Sequence, residues 1–205
     1  MFMTLCIASV VPVQGRLGET KDTIDSRLRN SNSGDSYRRE VQETKARQGP
    51  YARMLPMLEA AGIEFEVHVW WNADGDSRLR DVDLSRPRTN SGWDYFVVFF
   101  DGRSVLEGYR RNSGNISVYE RDELLRRNFG TDDVIEHSEP LRDGSYFTWQ
   151  YESDDGTMRG VMSGRNQLMV FKSEFDRHLA EMNRQWRELM DQEAQQTYRE
   201  NIVGF

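Results

Sequence analysis

The sequence predicts an α+β protein in which an antiparallel sheet carries helices on one side, organised as two αβββ units and closed by a long C-terminal helix. Three observations predict it. Glu64 to Trp71 alternates Phe65, Val67, Val69 and Trp71 with Glu64, Glu66, His68 and Trp70, the period of a half-buried strand. Two β-rich runs, Trp93–Phe100 and Arg103–Tyr109, are separated only by Asp101-Gly102, a dipeptide that closes a two-residue hairpin. Phe175, Leu179, Met182, Trp186 and Leu189 recur at spacings of 4, 3, 4 and 3, so a helix opening at Ser173 presents one apolar seam.

The elements follow in chain order. Residues 1–15 carry no charge, whereas charged residues are dense from Arg16 onward. The run is too short to span a bilayer and suits the apolar region of a signal peptide, with Val13 and Gly15 as the small residues before a cleavage point. The alternative is a buried first strand over Leu5–Val13, ended by Pro12. A short helix follows Leu17-Gly18-Glu19-Thr20, with Thr20 as N-cap and Ile24 and Leu28 one turn apart. Asn30 to Gly34 ends it, and Asp35 to Gln48 reads as a loop or a solvated helix. Tyr51 to Ala61 carries Met54, Leu55, Met57 and Leu58 before Gly62, with Pro56 weakening the helical pattern.

After the first hairpin, residues 112–115 punctuate the chain and Tyr119 to Phe129 reads as a helix with Leu124 and Leu125 inward. Ser145–Tyr151, Met158–Ser163 and Leu168–Phe171 form a second three-stranded meander around Asp154-Asp155-Gly156 and Gly164–Asn166. The last helix loses its apolar pattern after Met190. Residues 16–111 thus make a first α/β unit, and residues 112–205 a second with the C-terminal helix.

Composition bounds the function. The chain has 205 residues, a net charge of −7 and 30% charged residues, and its mean hydropathy is −0.77. Ten Phe, eight Tyr and five Trp still supply a core, which argues against wholesale disorder and against a multi-span membrane protein. The acidic balance argues against nucleic acid as a partner, since that role needs a basic face. Cys6 is the only cysteine, so neither an intramolecular disulfide nor a cysteine zinc site is expected. No phosphate-binding glycine loop occurs, and no cofactor is expected.

Asn72-Ala73-Asp74-Gly75-Asp76, with Asp81 and Asp83 beyond it, alternates oxygen side chains as a calcium loop does. Ser77 stands where that loop needs glycine, and Arg78 and Arg80 would oppose a cation. An acidic turn is the reading it receives. Asp154-Asp155-Gly156 is likewise a turn before it is a pair of acid-base carboxylates. His68, His137 and His178 fall on a strand, a loop and a helix with no ligand spacing. No catalytic or metal residue is therefore assigned. The candidate binding surface is aromatic: Trp70, Trp71, Trp93 and Tyr95 flank the first sheet and suit stacking on sugar rings or a peptide.

Several stretches resemble a group of small exported bacterial proteins of the planctomycete and verrucomicrobial kind, whose roles are uncharacterised. They are Leu17-Gly18-Glu19-Thr20 with Ile24 and Arg27, Val97 to Gly102 with Glu107 to Arg110, Glu123-Leu124-Leu125 with Asn128, and Arg165 to Val170. The G-x-T helix start before a strand-Asp-Gly-strand hairpin is also similar to the small outer-membrane lipoprotein of the barrel-assembly machinery and to the β-lactamase-inhibitor-protein fold. The resemblance implies helices paired with an antiparallel sheet and supplies no catalytic residues. The chain departs from it by lacking a clear lipidation motif and by a long insert at 30–62.

These readings converge on a non-catalytic exported protein, periplasmic or secreted, that binds a protein or a cell-envelope component. A hydrolase assembled from scattered Asp, Glu, Ser and His is the alternative, as is an intracellular α/β protein if residues 5–13 are a strand. A concave site with converging titratable groups would favour the enzyme, and a flat aromatic patch the binding protein.

Overall fold

Eight strands form one sheet in which every neighbouring pair is antiparallel. The computed structural model describes residues 16–30, 37–40, 54–72 and 92–203. The leader reading of residues 1–15, the acidic turn after Asn72, much of the 30–62 insert and the side chain of Trp71 lie outside the described residues. The strands are β1 Tyr37–Glu40, β2 Phe65–Asn72, β3 Trp93–Phe100, β4 Arg103–Arg111, β5 Val134–Leu141, β6 Trp149–Ser153, β7 Met158–Met162 and β8 Gln167–Lys172. The helices are α1 Lys21–Asn30, α2 Leu55–Ala60, α3 Val118–Phe129 and α4 Ser173–Val203. No described helix is long and apolar enough to cross a membrane.

The α+β class, the antiparallel sheet and the long C-terminal helix are as the sequence predicts. Each half of the sheet is a meander, β1 to β4 and β5 to β8, and the two halves join where their last strands pair, Leu106 opposite Phe171 and Tyr109 opposite Leu168. Each half has one strand more than the expected three. The additions, β1 and β5, are the two outer edges of the sheet. β1 reads Tyr-Arg-Arg-Glu, and β5 is largely exposed and contains Pro140. Charge and proline are the features that edge strands carry to avoid further pairing, and they erase the apolar alternation by which a strand is recognised.

The helices cover both faces of the sheet, not one. Phe96, Val98 and Phe100 pack with Leu55, Met57 and Leu58 of α2 and with Phe175, Leu179 and Met182 of α4. The alternate residues Tyr95, Val97 and Phe99 pack instead with Ile24 and Leu28 of α1 and with Leu125 and Phe129 of α3. Successive side chains of a strand point to opposite faces, so two clusters of opposite parity require two covered faces. The physical reason lies in β3 itself: residues 94–99 are all buried, and a central strand buried on both sides needs cover on both sides.

Local chemistry explains the boundaries. Asp101 and Gly102 have φ of 51° and 68°, the doubly left-handed turn that matches strand twist in a two-residue hairpin. Ser117 caps α3 in a reciprocal box with Glu120, and Gly130 ends it at φ 70°. Pro56 sits in the first turn of α2, where a missing N–H costs nothing. In the second meander β6 begins at Trp149 instead of Ser145, because the Tyr146 and Phe147 N–H groups donate to Asp176 Oδ1 of α4 at 3.0 and 2.9 Å and leave the ladder. The Asp154-Asp155-Gly156 segment is a turn: Asp155 accepts from the hydroxyls of Ser153 and Thr157 and from the Thr157 N–H, which hold its carboxyl below the usual range.

Candidate functional site

On the face covered by α1 and α3, the two helices leave a cleft of about 370 Å³ whose floor is β3 and β4. Helical spacing builds its walls. Ile24 and Leu28 turn α1 into the sheet, and Arg27, next to Leu28, reaches the cleft. In α3, Leu125 and Phe129 face the core, while Glu120, Leu124 and Arg127 at spacings of 4 and 3 form the stripe that lines the opening. Strand period supplies the floor: Trp93 and Tyr95 come from β3 and Tyr109 from β4.

Register then stacks the floor. Tyr95 lies directly opposite Tyr109, and the rings stack with centroids 5.1 Å apart. Glu107 lies two residues before Tyr109 on the same strand face, opposite Val97, and is fully buried at 0% exposure. The Tyr109 hydroxyl donates to Glu107 Oε2 at 2.8 Å. Asn128 of α3, also fully buried, donates Nδ2–H to that hydroxyl at 3.1 Å and to the Leu124 carbonyl at 2.7 Å. Glu107 Oε1 makes no close hydrogen bond among the described residues, and the Tyr95 hydroxyl acts on the carboxyl group only from farther off. A buried carboxyl oxygen without a donor is costly, which marks this group out from an ordinary core position.

Electrostatics follow from this enclosure. Burial pushes the Glu107 carboxyl up, while the Arg27 charge, the hydroxyls of Tyr109 and Tyr95 and the Arg16 charge pull it back. Burial and the neighbouring Glu107 raise both Tyr95 and Tyr109, so their hydroxyls stay protonated as donors. Burial works against the Arg27 cation, yet Tyr95, Glu107, Tyr109 and Glu19 outweigh it and hold the guanidinium charged. Arg27 donates from Nε and Nη2 to Glu19 Oε2 at 3.2 and 2.8 Å, and from Nη2 to the Tyr95 hydroxyl at 3.4 Å.

Among the described side chains, Trp70, Trp93 and Tyr95 do not build an open platform. Trp70 is 2% exposed beneath α1, where its Nε1–H donates to Asp25 at 3.1 Å. Tyr95, at 4%, is cleft floor, and Trp93 is cleft wall under the Arg111 guanidinium, 5.0 Å from its ring. The histidines stay apart. His68 is buried and bonded through Nε2 to Glu66 at 2.7 Å, His137 stands edge-on to Trp149, and His178 lies beside Phe100. Among the described residues no three His, Cys, Asp or Glu side chains gather to hold a metal ion.

Sequence reasoning missed Arg27, Glu107, Tyr109 and Asn128 as a group. A signal was present: within Val105-Leu106-Glu107-Gly108-Tyr109, an acid and a tyrosine share one face of a strand next to the strongest apolar run in the chain. An acid at a core parity is a position to explain. No family model matches the chain, and no curated protein or solved structure matches it.

Proposed function

We propose that this is a non-catalytic binding protein whose partner, a protein or a cell-envelope component, inserts a group into the cleft between α1 and α3. The observation that carries the reading is the cleft's construction: an aromatic floor over a buried, incompletely satisfied carboxyl group, walled by charged side chains from two helices. Convergent polar groups in an otherwise apolar concavity are the usual form of a recognition site. Binding is favoured over hydrolysis because, among the described residues, no Ser, Thr, Cys or His lines the cleft and the three histidines sit in separate environments. The uncharged first fifteen residues and the motif resemblance to exported bacterial proteins support an exported location as part of the same reading.

Amide chemical-shift mapping on the full chain, against a mixed panel of small molecules and short peptides, tests the site. The expected result is that binders shift Tyr95, Tyr109 and Leu124 together. Binders that cluster on another surface, or a panel member that is turned over chemically, would contradict it.

A further inference from the structure

The charges and rings of the cleft narrow what it takes, on the premise that it is the binding site. Its acids are engaged. Glu120 is held by Ser117 and by Arg111 at 2.6 Å, and Glu123 by Arg126 and Arg127. Its cations are not all engaged. Arg16 makes no ion pair among the described residues, although its charge acts on Glu107 and Tyr109, and Arg27 Nη1 is outside the bonds that Nε and Nη2 make to Glu19 and Tyr95. The aromatic faces already carry cations, with the Arg27 guanidinium 6.0 Å from the Tyr95 centroid and that of Arg111 5.0 Å from Trp93. A cationic ligand would meet guanidinium charge there instead of a free π face.

From this we infer that the cleft takes a carboxylate carried beside a flat aromatic ring. The carboxylate lies against Arg16 and Arg27, and the ring against Leu28 and Leu124. A guanidinium presents paired donors in the plane of a carboxylate, a match that neither an amine nor a neutral group reproduces. The volume of about 370 Å³ falls at the small end of ligand sites, enough for one ring and its acid. Glu107 sets the depth: an anion passing below Tyr95 would face a second carboxyl group, so the ligand's acid stays at the arginine rim.

Titration calorimetry of the full chain, with amide shifts followed in parallel, tests this with phenylacetate, phenethylamine, acetate, and N-acetyl-Gly-Gly-Phe as its free acid and its amide. Phenylacetate is expected to bind at least about tenfold more tightly than phenethylamine or acetate, and Arg16→Gln to lower its affinity about five- to tenfold, with Arg16→Lys intermediate. Arg16 accepts hydrogen bonds through its backbone carbonyl, which glutamine keeps, so the substitution is expected to leave the fold in place. Tighter binding of the peptide acid than of phenylacetate assigns the carboxylate to a partner's chain end, and equal binding assigns it to a free acid. The amide binds weakly in both cases. Phenethylamine matching phenylacetate, or Arg16→Gln within about twofold of wild type, overturns the assignment. If phenethylamine shifts the cleft amides, the cleft survives as the binding site. If no probe shifts them, both readings fall.

Discussion

Glu107 is a carboxyl group in the middle of a sheet, opposite Val97 and beneath two stacked tyrosines, and its placement makes stability depend on pH in a direction that can be worked out. Burial raises its pKa in the folded chain above its unfolded value. The folded state therefore holds the proton more tightly. Its contribution to stability is complete below the ordinary carboxylate range and is lost as pH rises through the raised folded value. Asp176, also raised by burial, adds a dependence of the same sign, so a single stability curve does not isolate Glu107. The difference between wild type and Glu107→Gln does. Glutamine keeps an oxygen for the Tyr109 hydroxyl and removes the charge, so its stability relative to wild type is expected to rise with pH across the weakly acidic range. Denaturant unfolding at a series of pH values checks this, and a difference that is flat or falls with pH would contradict the buried-acid description.

At the scale of elements, β3 and β4 are held in register by more than hydrogen bonds. Gly108 faces Phe96 across the ladder, and a Cβ built on Gly108 would lie 1.8 Å from the Phe96 ring. The ring fills the space that a side chain would occupy. Phe96 belongs to the cluster beneath α2 and α4, so it cannot move aside without disturbing that core. Gly108→Ala is accordingly expected to cost about 1–3 kcal/mol of unfolding free energy, as overpacking does elsewhere. Equilibrium urea denaturation measures it, and an unchanged midpoint would show that the ring has room to shift. The last helix behaves differently along its length. Phe175, Leu179 and Met182 are buried, whereas Leu189 is 56% exposed, so the seam read from the sequence is core packing at its start and open to solvent beyond.

Over the whole molecule, legibility in the sequence followed burial on a single element. The hairpin at Asp101-Gly102, the second meander and the α3 and α4 helices announce themselves because turn chemistry, caps and apolar period all act within a short segment. The edge strands do not, since Tyr-Arg-Arg-Glu in β1 and the polar, proline-containing β5 carry no apolar alternation. The second helical face was legible only in part: the unbroken run Tyr95–Phe100 implies burial on both sides, but nothing local says which helices supply the cover. The site was the least legible feature. Arg27, Tyr95, Glu107, Tyr109 and Asn128 come from α1, β3, β4 and α3, and only the β3–β4 register and the docking of two helices bring them together. Of the four aromatic residues read as a binding surface, Trp93 and Tyr95 serve as cleft wall and floor, and Trp70 is buried.

The most direct measurement of the central claim is a crystal structure of the full chain soaked with phenylacetate. The expected density lies between α1 and α3, with the carboxylate against Arg16 and Arg27 and the ring between Leu28 and Leu124. Density on another surface, or a cleft filled by the protein's own side chains with the ligand excluded, would contradict the account.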